Sequence, residues 1–197
     1  MVRKRVGKVE RRTKETYIKI ELDLDGSGEY KIDTSIQFLD HMLSLFAKHG
    51  LFDLKIKARG DTEVDYHHLV EDIGICLGEA IDYALKEKVG IIRYGEAFVP
   101  MDEALVLLSL DLSGRPYLAF DLILKRRKVG TFDTELVEEF FRALASSAKV
   151  TLHLRQFAGR NTHHLIEAAF KALGRALGRA TEIDKRIKGI PSTKGKL

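Results

Sequence analysis

The chain repeats itself once, in order, and that duplication limits the folds open to it more than any other feature. Glu15-Thr-Tyr-Ile-Lys-Ile-Glu-Leu-Asp-Leu-Asp-Gly26 returns 88 residues later as Glu103-Ala-Leu-Val-Leu-Leu-Ser-Leu-Asp-Leu-Ser-Gly114. Asp65-Tyr-His-His-Leu-Val-Glu71 returns 96 residues later as Asn161-Thr-His-His-Leu-Ile-Glu167. Between them, His41-Met-Leu-Ser-Leu-Phe46 aligns with Glu139-Phe-Phe-Arg-Ala-Leu144 at an offset of 98. A period near half the chain implies two similar halves. The small drift in offset belongs in loops, where insertions are tolerated. The expected division is 1–89, 90–180 and a tail, 181–197, in a single compact unit.

Each half carries the same order of elements. Residues 15–24 are β-branched and apolar, and Gly26-Ser27-Gly28 turns the chain into 29–33, which reads as a hairpin. Phe38, Met42, Leu45 and Phe46 fall at helical spacing over 38–48, before Gly50. Leu54, Ile56 and Ala58 alternate over 51–58 as in a strand. A long helix follows over 67–87. The second half gives strand 103–112, a turn at Ser113-Gly-Arg-Pro116, strand 117–124, helix 134–148, strand 150–156 and helix 162–179. Strands over 6–12 and 91–99 lead into the two halves. This is an α+β pattern: two sheets with the helices gathered to one side, related by a pseudo-twofold.

Composition narrows the function. Apolar residues make up 45% and charged residues 31% of the chain, enough for a core. No apolar run is long enough to cross a bilayer. The basic start Met1-Val2-Arg3-Lys4-Arg5 has no apolar stretch behind it, so it does not read as a secretory signal. Cys76 is the only cysteine, which fits a reducing cytoplasm. Net charge is +4, from 33 basic and 29 acidic residues. The two signs are interleaved without an aromatic-basic platform, which argues against nucleic acid and suits a small anionic substrate.

Four of the seven histidines form two His-His pairs, each with a glutamate at the same distance. Positions i and i+4 of a helix face one way, so His67 with Glu71, and His163 with Glu167, can each grip an ion. His68 and His164 point about 100° away and suit a second ion. The economical arrangement is two ions, each held by the His/Glu pair of one half and the spare histidine of the other. His41 and its repeat partner Glu139 are further candidate ligands. Imidazole and carboxylate without thiolate suit Mn(II), Fe(II) or Zn(II), and an octahedral site favours Mn(II). His49 and His153 have no histidine counterparts and read as ordinary polar residues.

Together Phe38-Leu-Asp-His-Met-Leu43, Asp65-Tyr-His-His-Leu-Val-Glu-Asp72, Pro100-Met-Asp-Glu-Ala104, Asp111-Leu-Ser-Gly-Arg-Pro-Tyr117, Asn161-Thr-His-His-Leu-Ile-Glu167 and Pro191-Ser-Thr-Lys-Gly195 resemble the imidazoleglycerol-phosphate dehydratase family. The resemblance implies duplicated split-βαβ halves: two four-stranded sheets with the helices packed between them, of the ribosomal-protein and GHMP-kinase kind. It implies two Mn(II) per subunit, trimers assembled into a 24-subunit shell, and metal sites completed by neighbouring subunits. Carried across, the metal ligands are His41, His67, His68, Glu71, His163, His164 and Glu167. Glu139 stands where many members have histidine, and Leu45 where some have glutamine. The acid/base glutamate falls on Glu15, with Glu167 beside it. Substrate contacts fall on Glu15, His41, His67 and His163, and on Arg93, Arg115, Lys171, Ser192, Thr193 and Lys194 around the phosphate.

The implied reaction turns imidazole glycerol phosphate into imidazole acetol phosphate and water. The proton to be lost is not next to a carbonyl, so an electron sink is needed, and a metal-bound imidazole can serve. A carboxylate must then take that proton, and Glu15 is placed for it, with Glu103 as its structural counterpart. Arg supplies a planar fork for phosphate. Lys171 lies four residues after Glu167 and shares its face. The tail after Pro191 reads as a flap. Two rivals remain: a dinuclear hydrolase, which usually needs a carboxylate bridging both ions, and a metal-gated assembly protein with no chemistry.

Overall fold

The computed structural model describes residues 4–197, so the first three residues of the basic start, and of the first expected half, lie outside it. Its first sheet contains β1 (Val6–Arg12), β2 (Thr16–Asp23), β3 (Tyr30–Asp33) and β4 (Asp53–Gly60), in the order β1-β2-β4-β3. Helix α1 (Gln37–Gly50) joins β3 to β4, and α2 (His67–Leu85) follows. The second sheet contains β5 (Tyr94–Met101), β6 (Ala104–Asp111), β7 (Tyr117–Asp121) and β10 (Thr151–Ala158), in the order β5-β6-β10-β7. It is accompanied by α3 (Leu136–Ser147) and α4 (Thr162–Thr181). A short ribbon, β8 (Lys128–Val129) with β9 (Phe132–Asp133), precedes α3.

The expected hairpin between 15–24 and 29–33 does not form. β4 lies between those strands, antiparallel to β2 from Asp53 to Gly60 and parallel to β3 from Leu54 to Lys57. Burial gives the reason. Leu54, Ile56 and Ala58 are buried and need neighbours on both sides, whereas β3 is short, largely exposed and belongs at the edge. A parallel pair needs a crossover, and α1 supplies it. The second half repeats this, with β7 parallel to β10 at the edge.

Strand alternation gives each sheet one covered face. Ile18, Ile20 and Leu22 of β2 and Val106, Leu108 and Leu110 of β6 are buried against helices. The helices lie between the sheets and pair across the halves, α2 with α3 and α4 with α1. Glycines permit the approach. A Cβ on Gly78 would stand 2.7 Å from the Leu144 carbonyl oxygen, and one on Gly174 would stand 2.4 Å from that of Phe46. These are equivalent positions of the duplication, so the same close contact is made twice.

The outer faces differ. On the first sheet Lys8 pairs with Glu21, Lys19 with Glu10, and Lys55, Lys57 and Arg59 are exposed. On the second, Tyr94, Phe98, Tyr117 and Phe157 are more than half exposed, and the Phe98 and Phe157 rings lie 5.2 Å apart.

Candidate metal centre

Both His-His pairs open their helices, and the two helix starts reach one edge of the molecule. The β8–β9 ribbon ties them together. Thr131 meets Tyr66 at the start of α2 with a 3.4 Å hydroxyl contact, and Phe132 stacks 5.2 Å from Phe38 at the start of α1. Phe38 in turn packs edge-on against His163, ring centres 5.5 Å apart. At α4 the Asn161 side chain accepts from the His163 backbone N–H at 3.0 Å and caps the helix.

Here three side chains converge. Ligand atoms of His41, His163 and Glu167 lie within 4.8 Å of one another. His163 Nε2 is 3.2 Å and His41 Nε2 is 3.8 Å from the same Glu167 oxygen. The His163/Glu167 pair of the second half thus meets His41, the further candidate ligand that α1 brings from the first half. Among the described residues this is the one gathering of three such donors. Two imidazoles and a carboxylate suit a borderline or hard divalent ion. Burial pushes the Glu167 acid upward, but hydrogen bonds from Lys171, 2.7 Å away, and from His163 outweigh it and hold the carboxyl below its ordinary range.

In the first half, His67 Nε2 stands 4.0 Å from Glu71, and Glu139 is half-buried on α3, which packs against α2. These three do not close into a comparable cluster. The second histidine of each pair turns to a different carboxylate. His68 Nδ1 meets Asp61 at 3.0 Å, with Glu15 at 3.9 Å. His164 Nδ1 meets Glu103 at 2.7 Å. Glu103 also accepts from the backbone N–H groups of Arg160 and Asn161 at 3.2 and 2.8 Å. His164 and these donors hold the Glu103 acid down to about 2, and Glu103 raises His164 in turn. His68 is raised mainly by its bond to Asp61.

The residues expected around phosphate separate into two groups. Lys171 lies one turn beyond Glu167. Arg93 sits beside the far end of α4, its backbone N–H bonded to the Ala180 carbonyl. Its guanidinium forks onto Asp111 at 2.7 and 3.0 Å and donates to the Pro191 carbonyl at 2.9 Å. The tail is tied here too, by the Gly90 N–H donating to the Gly189 carbonyl at 2.8 Å, and a Cβ on Gly114, next to Arg115, would stand 2.7 Å from the Leu197 main-chain carbon. Ser192, Thr193 and Lys194 belong to this end. A helix rises 1.5 Å per residue, so Ala180 is roughly 25 Å along the axis from His163.

One residue set aside in the sequence lies close to this stripe. His49, two turns beyond His41 on α1, lines a cavity of about 840 Å³ with Arg5, Arg175 and Arg179. Partial burial, then Lys171 and Arg175, keep its imidazole below the ordinary value. The i, i+8 spacing from His41 is its one sequence signal, since His49 has no repeat partner.

Known proteins share this chain's sequence pattern and fold. Residues 34–177 match the family described as imidazoleglycerol-phosphate dehydratase. The enzyme of that name from Desulforamulus reducens is 61% identical over 98% of both chains. That from Acetivibrio thermocellus is 62% identical over 96% of this chain and 97% of its own. The crystal structure of the Staphylococcus aureus dehydratase superposes with a TM-score of 0.83 at 45% identity, over 91% of this chain and 99% of that one. The Pyrococcus furiosus structure gives 0.84 at 43% identity, over 96% and 100%. With its paired histidine helices set in a duplicated fold, and with relatives this similar along almost its whole length, the chain belongs to the imidazoleglycerol-phosphate dehydratase family.

Proposed function

We propose that the chain dehydrates imidazole glycerol phosphate to imidazole acetol phosphate, a step of histidine biosynthesis, at a site using two Mn(II) ions per subunit. The observation that carries this reading is the convergence of His41, His163 and Glu167 from the two halves, with Lys171 one turn away. The ligands are drawn from His41, His67, His68, Glu71, Glu139, His163, His164 and Glu167. When bound, the metal would draw electron density from the substrate's imidazole and ease departure of hydroxide from the adjoining carbon.

Glu15 takes the proton from the next carbon, giving an enol that becomes the ketone. Its side chain is 56% exposed and stands 3.9 Å from His68 Nδ1, beyond hydrogen-bond distance, so it is free to act. Glu103, its counterpart, is engaged with a helix start. Glu167 and Lys171 hold charge of both signs beside the ring, and Arg93, Arg115, Lys171, Ser192, Thr193 and Lys194 fix the phosphate.

The length of α4 between the paired histidines and Arg93 supports a site shared between copies. The apolar outer face of the second sheet supports a self-association surface, in trimers built into a 24-subunit shell. No helix among the described residues is long and apolar enough to cross a membrane. Cytoplasmic residence agrees with the lone, buried Cys76.

The test is ketone formation from imidazole glycerol phosphate by Mn-loaded protein. Glu15→Gln is expected to keep its metal and lose at least about 100-fold in kcat. Absence of product from the loaded wild-type protein would end the assignment.

A further inference from the structure

We propose that Asp61 is a positioning residue, which holds the His68 ring by Nδ1 and thereby leaves Glu15 uncommitted. The proposal rests on the reading of Glu15 as base and His68 as ligand. The duplication supplies an internal comparison. Glu15 and Glu103 occupy equivalent positions, as do His68 and His164. In the second half Glu103 bonds directly to His164 Nδ1 at 2.7 Å and is bound by two backbone N–H groups besides. In the first half Glu15 stays 3.9 Å from His68 Nδ1, because Asp61 already occupies that nitrogen at 3.0 Å.

The difference traces to one position. β4 and β10 are equivalent strands, but β10 bulges between Gln156 and Ala158, so Gly60, set against Thr16 and Leu69, corresponds to Gly159, set against Ala104 and Leu165, and the next residue is Asp61 in the first half and Arg160 in the second. Arg160 offers no carboxylate, and its backbone N–H donates to Glu103, which is drawn onto its histidine. Asp61 relieves Glu15 of that duty. A carboxylate on Nδ1 also fixes the ring orientation and turns Nε2 outward, the arrangement found behind many metal-binding histidines. The other Asp61 oxygen, Oδ1, is buried without a hydrogen-bond partner, so the side chain is held for its contact with His68 rather than for a wider network.

Asp61→Gly removes from the first half the carboxylate that the second half lacks. In a crystal structure of the Mn-loaded variant, a Glu15 oxygen is expected within about 3 Å of His68 Nδ1. Mn(II) affinity should weaken, and kcat should fall by about 10-fold or more with KM little changed. Asp61→Asn keeps an oxygen able to accept from the Nδ1–H and should recover most of both. Should glycine loosen the loop, Asp61→Ala gives the same comparison. Glu15 remaining about 4 Å or further from His68 in the glycine or alanine variant, or an asparagine variant no better than glycine, overturns the proposal. Undiminished turnover by Glu15→Gln would instead overturn the base assignment, while the position of Glu15 in Asp61→Gly still decides the role of Asp61.

Discussion

The Lys171 ammonium lies 2.7 Å from the Glu167 carboxylate, one turn along α4, with side chains only 17% and 10% exposed. A largely buried carboxylate needs such a partner, and its nearest other donor is His163. Lys171→Met is expected to destabilise the metal-free protein by about 1–3 kcal/mol. The sign with pH is fixed. Glu167 is held below its unfolded value, so its contribution is present above about pH 4.3 and is lost as pH falls through the lower, folded value. Urea unfolding from pH 7 to 3 should therefore show wild type losing more stability on acidification than the methionine variant.

Glu103 should behave as a scaffold and Glu15 should not. The Glu103 acid is held at about 2 by His164 and by the N–H groups of Asn161 and Arg160. Its stabilising effect is complete above the unfolded carboxylate value, about 4.3, and disappears on acidification toward 2. Glu103→Gln is expected to lower the melting temperature at pH 7 and to flatten its decline below pH 4.3. Glu15→Gln, whose side chain caps no helix, should leave the melting temperature at pH 7 unchanged, as differential scanning calorimetry would show.

The two close helix crossings can be tested together. Gly78→Ala and Gly174→Ala each push a methyl group against a carbonyl oxygen, of Leu144 or of Phe46, at 2.7 and 2.4 Å. Each is expected to cost about 1–3 kcal/mol in denaturant unfolding, despite alanine's higher helix propensity. A stabilised variant at either position would show that the helices can separate freely.

Much of this organisation can be read in the sequence, because duplication turns single residues into pairs. The equivalence of Glu15 with Glu103, and of His68 with His164, is visible in their offsets. What those offsets do not contain is partner choice. The Gly26-Ser-Gly28 turn looks like a hairpin because turn chemistry is local, whereas the insertion of β4 beside β2 depends on burying Leu54 and Ile56. The pairing of Arg93 with Asp111, 18 residues away beside the β5–β6 pair, likewise requires the fold. His41 meets His163 only because α1 and α4 pack together, a contact no periodicity announces.

Cys76 should be inert while the protein is folded. It is fully buried on α2, and burial pushes its thiol up to about 12. Only the thiolate attacks alkylating agents. Iodoacetamide at pH 8 is expected to leave native protein unmodified and to label it after unfolding in urea, as intact mass would report.

The apolar outer face of the second sheet makes a further expectation. If this face carries the proposed self-association, Phe98→Lys with Phe157→Glu should leave secondary structure intact, since neither side chain is in the core, but should reduce the mass seen by light scattering. The corresponding charged face of the first sheet offers a control, in which Lys19→Glu should leave the mass unchanged.

The distance along α4 between His163 and the end that carries Arg93, Arg115 and the tail also bears on heredity within a mixed population. If one copy lends the anion clamp and another the imidazoles, Arg115→Ala and His163→Ala lesions fall on different contributors. Two defective proteins, unfolded and reassembled together, would then regain about a quarter of full turnover at random mixing. Neither could recover any by itself.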